Sequence, residues 1–417
     1  MQPLAGSGHP GLAWIVAARF AVVEPKKRHD GYRSFSYLVE NEDYVAFDLV
    51  PELGRVEPTV VPLSDEDDAR AERLLRERIC VSLHDHAGIA PADWDDNDDY
   101  IRQGREWYGF EGLAVSGLDA VFENFFDGTA TITSATGWKW TDVIHDVGMH
   151  LSDVAHSSVV FLGTSVEDIE RAHEIGRIAL IASIEGAAPI ENELDRIDVL
   201  YGLGVRMLGV TYSESNQLGG GLRDPGDGGL TDFGRRAVTR MNRIGMAIDV
   251  SHCGDVTAMQ TCRASSAPVF LSHSGARALF PETKLKEDDL LKAVADTGGV
   301  IGIEASPNTT TMRGQPHSLE TVMAHAEYCI DLMGIEHVGF GPDTFFGDHV
   351  ELHRRYADNL STGDQPAHVE IDHVVGLENP SEFPNVIRWL VGHGYADEQI
   401  AMLAGGNVIR ALRDVWA

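Results

Sequence analysis

Short apolar runs recur along the chain from residue 79 onward, interleaved with stretches of helical periodicity. Within each run polar and apolar residues do not alternate, so we expect parallel strands that are buried on both faces. The runs cover residues 79–83, 178–184, 206–211, 246–250, 268–271, 299–303 and 337–340. Helical periodicity is clearest over residues 166–175, 232–244, 288–297 and 319–333.

Strands that alternate with helices in this way predict an α/β fold, either a (β/α)8 barrel or a doubly wound parallel sheet. A Gly-x-Gly-x-x-Gly motif does not follow the first strand, which weakens the dinucleotide-binding alternative. We therefore predict a (β/α)8 (TIM) barrel over residues 76–417. Residues 1–75 contain Gly/Pro-rich stretches and the acidic run 64–68, taken as a solvated surface. They are predicted to form an irregular N-terminal extension that packs on the barrel.

Imidazole and carboxylate groups stand at the ends of five of the predicted strands. A parallel barrel gathers its catalytic groups at the carboxyl ends of its strands, so these side chains are expected to converge. They are His84 and His86 after the first run, and then Glu185, His252, His273 and Asp343.

The spacing of His84 and His86 strengthens this expectation. In an extended segment, residues two apart point to the same side, so both imidazoles face together while Asp85 points away. Imidazole nitrogen and carboxylate oxygen are normal zinc ligands, and a carboxylate can bridge two ions. The set therefore predicts a metal site and a metal-dependent hydrolase. Eleven other histidines are expected to be hydrogen-bonded structural residues: His145, His150, His156, His173, His317, His325, His349, His353, His368, His373 and His393.

The formal net charge of −32 excludes two classes of partner. Binding nucleic acid or an anionic membrane requires a basic face. A small-molecule substrate is expected instead, and the sequence leaves a homodimer open.

The four cysteines form no Cys-x-x-Cys pair, which fits small core residues in a reducing compartment. The apolar run 11–23 contains Arg19 and lacks a preceding basic region, so we expect no signal peptide and a cytoplasmic protein.

Beyond these patterns, residues 78 to 415 resemble the renal (membrane) dipeptidase family, the zinc dipeptidases of family M19. Several motifs match in order and with similar spacing. They are Ile184-Glu185-Gly186, Tyr201-Gly202-Leu203-Gly204-Val205-Arg206, Gly229-Leu230-Thr231-Asp232-Phe233-Gly234, Met241-Asn242-Arg243-Ile244-Gly245-Met246, Asp249-Val250-Ser251-His252, Pro268-Val269-Phe270-Leu271-Ser272-His273-Ser274, Gly339-Phe340-Gly341-Pro342-Asp343 and Gly405-Gly406-Asn407-Val408-Ile409-Arg410.

The resemblance implies a barrel with a binuclear zinc centre, and thus two Zn²⁺ ions per chain. Glu185 matches the carboxylate that bridges the two metals, and His252 and His273 match the pair that holds the second ion. Asp343 matches the acid that takes the proton from the bridging water.

Three positions depart from the family pattern. His86 stands where the family's His-x-Asp motif has its aspartate. Tyr212 replaces the histidine that polarises the scissile carbonyl, and as a neutral donor it is expected to hydrogen-bond the oxyanion. Lys284 replaces, on an ungapped reading, the arginine that grips the substrate's carboxylate, and it is expected to bind that group as a point charge.

The function predicted from these features is a zinc-dependent, dipeptidase-like hydrolase that cleaves an amide bond of a small substrate. Two alternatives remain. One is a metal hydrolase of a non-peptide acyl bond such as a lactone, a carbamate or an N-acyl compound. The other is a catalytically silent metal-binding scaffold, against which the joint presence of Glu185 and Asp343 argues.

Overall fold

A computed structural model of the chain describes residues 29–125, 139–356 and 372–416. Eight of the described strands close into a parallel barrel. Their order around the ring is β1, β11, β10, β9, β8, β7, β6 and β4, and β4 pairs with both β6 and β1. The strands are β1 Val81–Asp85, β2 Gly88–Ile89, β3 Trp107–Tyr108, β4 Ala120–Asn124, β5 Val160–Leu162, β6 Ile178–Ile184, β7 Met207–Gly209, β8 Ala247–Asp249, β9 Val269–Ser274, β10 Ile301–Ile303 and β11 Val338–Phe340. The predicted (β/α)8 fold is confirmed.

Three of the strands lie outside the ring. The strand β5 pairs in parallel with β6, and β2 pairs antiparallel with β3 in the connection between β1 and β4. The ring strands are buried along their whole length, as expected for a parallel sheet whose faces are both covered.

All seven predicted runs contain a strand of the ring, but two of their ends were placed too early. The strand β1 continues through Asp85, and β9 continues through Ser274. His84 and His273 therefore belong to the strands themselves, where the ladder fixes their direction. The eighth ring strand, β4, was not predicted because only three apolar residues precede Glu123 and Asn124.

The helices are α1 Asp65–Glu77, α2 Asn97–Arg102, α3 Phe110–Val115, α4 Trp140–His156, α5 Val166–Ile175, α6 Asp195–Gly202, α7 Asp232–Ile244, α8 Asp255–Ala264, α9 Asp288–Asp296, α10 Leu319–Met333, α11 His349–Arg355, α12 Pro384–Gly392, α13 Asp397–Ala401 and α14 Asn407–Val415. Three of the four predicted helices have the predicted ends, and the fourth, 288–297, ends one residue early. Local signals explain such ends: Thr231 caps α7 by accepting a hydrogen bond from the Gly234 amide, and Gly245 ends it in the left-handed conformation.

The N-terminal segment differs from the expectation of an irregular extension through residue 75. The helix α1 begins at Asp65, and the acidic run supplies its N-cap and first turn, where residues 64–66 are exposed as expected of a solvated surface. Ser64 accepts a hydrogen bond from the Asp67 amide, and acidic side chains are favoured at a helix N-terminus. The helix packs on α12, and the Phe35 amide donates to Asp153 of α4. The division at residue 75 remains a prediction.

Some sequence predictions concern residues outside the described ranges, namely the apolar run 11–23 and His368. The four cysteines all lie within these ranges and are buried, and they form no disulfide there, as expected of small core residues. None of the helices in the described ranges is long and apolar enough to cross a membrane.

Candidate metal centre

The barrel brings His84 and His86 together with Asp343 at the ends of two neighbouring strands. The Nε2 atoms of the two imidazoles lie 3.3 Å apart. Asp343 Oδ1 lies 3.1 Å from His86 Nε2 and 3.4 Å from His84 Nε2. Asp85 faces the other way and accepts hydrogen bonds from the amide and hydroxyl of Thr344. The predicted alternation along this strand is confirmed.

Glu185, His252 and His273 complete the cluster. Glu185 Oε1 lies 3.0 Å from His84 Nε2, and the Nε2 atoms of His252 and His273 lie 2.9 Å apart. The rings of His84 and His273 have centroids 3.7 Å apart, so the two groups of ligands adjoin. Gly209 lies on the neighbouring strand β7, next to the backbone of Glu185. A β-carbon at this position would overlap the carbonyl oxygen of Glu185, so the position requires glycine. All six residues named from the sequence thus converge.

The spacing of these atoms fits divalent cations. Zinc–nitrogen bonds of about 2.0–2.1 Å place neighbouring ligands of a tetrahedral ion roughly 3.3 Å apart. The separations of 3.1–3.4 Å around His84, His86 and Asp343 match that value. Glu185 Oε2 is buried and has no hydrogen-bond partner among the described residues, as expected of a carboxylate whose second oxygen serves a cation.

The charges of the site act on its imidazoles in two ways. Burial alone would lower the pKa of His84, but the contacts with Asp343 and Glu185 raise it to about 9. Burial, with the nearby charge of Lys284, lowers the pKa of His252, and burial, with His84, lowers that of His273. The carboxylates of Asp343 and Glu185 therefore favour a positive charge beside His84. His252 and His273 are held in the neutral form that binds metals.

A buried hydrogen-bond relay orients His273. Its Nδ1 lies 2.8 Å from Ser272 Oγ, which donates in turn to Asp249 Oδ2 over 2.7 Å. Because the serine hydroxyl donates to the carboxylate, it accepts from the imidazole Nδ1–H, which leaves Nε2 unprotonated toward the cluster. Asp249 belongs to one of the motifs that match the family, but the sequence does not predict its role. Only the fold shows that its carboxylate accepts a hydrogen bond from Ser272.

His84 has an analogous partner in Asn124 at the end of β4. Asn124 Nδ2 lies 2.8 Å from His84 Nδ1, and Asn124 Oδ1 accepts a hydrogen bond from the Ser183 hydroxyl. The two ends of a side-chain amide exchange places by rotation. The rotated amide would accept from His84 Nδ1–H through its oxygen and donate to Ser183, which would leave His84 Nε2 available for a metal.

The relay makes Ser272→Ala a test of ligand orientation. Loss of the hydroxyl leaves His273 Nδ1 without its acceptor, so affinity for zinc is expected to fall by about 10- to 100-fold. Competition with a fluorescent chelator measures the affinity. Ser116→Ala is the matched control, because Ser116 is likewise buried but its hydroxyl hydrogen-bonds the backbone of Leu113 and Leu118 rather than the relay. Equal affinities of the two variants would contradict this role for the relay.

Tyr212 and Lys284, the predicted substrate-binding residues, also lie at the site. The Tyr212 ring stacks on His252 with centroids 4.3 Å apart. Lys284 Nζ lies 2.9 Å from Asp343 Oδ2 and 3.1 Å from Glu304 Oε2. The roles of Tyr212 at an oxyanion and of Lys284 at a substrate carboxylate remain predictions.

Three further residues of the site were not predicted to belong to it. Glu304 follows β10 directly and is fully buried. It shows the same signal as Glu185, a carboxylate just past an apolar run. His349 and His353 were expected to be structural, but the His349 ring lies 6.3 Å from that of His86 and 4.8 Å from that of His353. His349 is buried and His353 is half-buried on α11, beside His86.

The Asp343 backbone is held in an unusual conformation. Its φ of 56° lies in the left-handed region, which costs a non-glycine residue about 1–3 kcal/mol. The Asp343 amide donates to the backbone oxygen of His84 over 2.9 Å, and the His86 amide donates to that of Thr344. These bonds tie the segment after β11 to the end of β1 and keep the carboxylate beside the imidazoles.

Comparisons with known proteins bear on this site. The family model for membrane dipeptidase (peptidase family M19) matches residues 148–353. The chain is 30% identical to dipeptidase aclJ of Aspergillus oryzae over 279 residues, which are 66% of this chain and 60% of that protein. It is 31% identical to an uncharacterised protein of the pqqA 5′ region of Klebsiella pneumoniae over 273 residues, 63% of this chain and 92% of that one.

Among solved structures, an amidohydrolase from Pseudomonas aeruginosa superposes with a TM-score of 0.70 at 24% identity, over 83% of this chain and 99% of that one. This likeness supports the barrel fold. The motifs predicted from the sequence, the family model and the relative matched over nearly its whole length agree with one another. This chain belongs to the membrane dipeptidase family, peptidase family M19.

Proposed function

We propose that this protein is a binuclear metal-dependent hydrolase that cleaves an amide bond of a small, dipeptide-like substrate. The observation that carries the proposal is the buried cluster of six ligand-type side chains, with Asp343 within 3.4 Å of two imidazoles. Family membership supports it. The chain spans only 60% of the length of the aclJ dipeptidase, so the activity is inferred from the site rather than transferred from that relative.

The donor set divides into two groups around Glu185. His84 and His86, with Glu185, would hold one cation, and His252 and His273, with Glu185, would hold the other. Zinc suits this mixture of imidazole and carboxylate. When bound, such cations supply a nucleophile from water at neutral pH and polarise the scissile carbonyl.

The protein's own side chains then supply proton transfer and orientation. Asp343 accepts the proton of the attacking water and delivers it to the leaving amine. Lys284 helps to keep this carboxylate ionised. Burial alone would raise the pKa of Asp343, but the charges of Lys284 and His273 and the contacts with His84 and His86 together lower it well below its usual value. Tyr212, stacked on His252, donates a hydrogen bond to the oxyanion.

Purified protein is expected to contain about two divalent ions per chain, predominantly zinc. Elemental analysis after purification without chelators measures this content, and a panel of dipeptides measures turnover. A content near zero, with no dipeptide hydrolysis restored by added zinc, manganese or cobalt, would overturn the proposal.

Family membership favours amide hydrolysis over the two alternatives, a non-peptide acyl bond and a silent scaffold. A cytoplasmic location and a homodimer remain predictions. The four cysteines are buried and form no disulfide among the described residues, which is consistent with a reducing compartment.

A further inference from the structure

The ammonium of Lys284 is held by two carboxylates of the protein. It lies 2.9 Å from Asp343 Oδ2 and 3.1 Å from Glu304 Oε2, and the Lys284 side chain is only 12% exposed. The Ser274 hydroxyl donates to the Lys284 backbone oxygen, which fixes the segment against the end of β9. If Asp343 turns toward a bound cation, Glu304 still balances the ammonium. The charge of the Lys284 ammonium is therefore already neutralised by the protein and is not available to a substrate carboxylate.

The other basic side chains of the segment 275–287 are also engaged. Arg277 pairs with Asp255 through both of its terminal nitrogens, at 2.6 and 3.0 Å. Lys286 is fully buried and donates to the backbone oxygen of Cys253. The segment that follows the Ser272-His273-Ser274 motif thus provides no uncommitted cation.

The carboxylate of Glu304 can accept a further hydrogen bond. Its carboxylate lies within 4.8 Å of the ligand atoms of His273 and Asp343. It is fully buried, and its Oε1 accepts no hydrogen bond from the described residues. A buried acceptor of this kind favours a ligand that brings an N–H group and repels one that brings another carboxylate.

We propose that Glu304 is a specificity-determining residue that selects, beside the scissile bond, a neutral polar group such as a carboxamide over a free carboxylate. The Lys284 ammonium is a hydrogen-bond donor and the Glu304 carboxylate is an acceptor. A carboxamide complements this pair, because it has both a carbonyl oxygen and an N–H group. This inference rests on the proposed function, because it assigns the substrate class of the same site. It also gives Lys284 a role different from the carboxylate anchor that the family resemblance implies.

The first test compares two substrates on the zinc-loaded wild-type protein, a dipeptide with a free carboxylate and the same dipeptide as its C-terminal amide. An enzyme that anchors the carboxylate through a cation should lose roughly 10- to 100-fold in kcat/KM on the amide. Here the amide is expected to be hydrolysed at least as efficiently as the acid. A preference for the acid of tenfold or more would overturn the inference.

The second test is Glu304→Gln, which removes one negative charge and releases Lys284. The KM for the acid is expected to fall by about tenfold relative to that for the amide. Glu287→Gln is the matched control, because Glu287 ends the same segment, is exposed and pairs with Arg277 rather than with Lys284. An acid-to-amide ratio in Glu304→Gln equal to that of the control would also overturn the inference.

A binding measurement separates this inference from the proposed function and needs no variant to fold. Calorimetry compares phosphinate dipeptide mimics that end in a carboxylate or a carboxamide on the zinc-loaded wild type. Tighter or equal binding of the carboxamide supports the inference, and tenfold tighter binding of the carboxylate refutes it. Absence of turnover with every dipeptide and amide would instead count against the proposed function.

Discussion

Replacement of Asp343 by asparagine is expected to lower kcat by on the order of 10² or more while leaving the fold and the metal content nearly unchanged. A carboxamide has nearly the same shape as the carboxylate, so it can keep the contacts with His86 and Lys284. It cannot accept a proton from the attacking water. Steady-state kinetics on the zinc-loaded variant, with elemental analysis and thermal unfolding of the same sample, measures the three quantities together.

The matched control is Asp289→Asn, which makes the same chemical change at an exposed position in the first turn of α9. It should leave all three quantities as in the wild type. Two results would contradict the assignment of Asp343. Unchanged turnover would remove it from the mechanism, and loss of the metals or of the folded state would make it a structural residue.

Replacement of Glu185 by glutamine is expected to reduce the metal content from about two ions per chain to one or fewer, and to lower kcat/KM by on the order of 10³ or more. Glu185 lies 3.0 Å from His84, and its second oxygen is buried without a hydrogen-bond partner among the described residues. A neutral amide is a poor ligand, and its NH2 group would point toward the place where a cation is expected. The binding of both ions should therefore be weakened by this single substitution.

Metal content should be measured on Glu185→Gln and on Glu193→Gln side by side. Glu193 lies on the surface of the loop that follows the same strand, so its replacement should leave two ions in place. If Glu185→Gln keeps two ions and normal turnover, the carboxylate does not bridge, and the division of the donor set proposed above is wrong.

The local sequence was sufficient to predict the barrel and the side chains that converge at the ends of its strands. Apolar runs bounded by turns identify buried parallel strands, and chemistry in such folds is confined to the strand ends, so His84, Glu185 and Asp343 could be named from position alone. The two-residue period of a strand also fixed that His84 and His86 face together, which the 3.3 Å separation of their nitrogens confirms.

Elements with a weak local signal were missed. The strand β4 has three apolar residues followed by Glu123 and Asn124, so its own sequence does not distinguish it from a loop. It becomes a strand because β1 and β6 pair with it on either side. The acidic run 64–68 likewise predicts only a solvated surface, and the helix that begins there is recognised once Ser64 is seen to cap α1.

The sequence by itself determined which kinds of side chain stand at the strand ends, because that information lies within a few residues of each strand. Only the tertiary structure decided what those side chains contact. Lys284 and Asp343 are 59 residues apart and meet only because the barrel closes, and the same closure places Glu304 on the other side of the ammonium. Whether a cationic side chain is available to a substrate depends on partners that are distant along the chain. A local sequence motif does not contain these partners and cannot predict them.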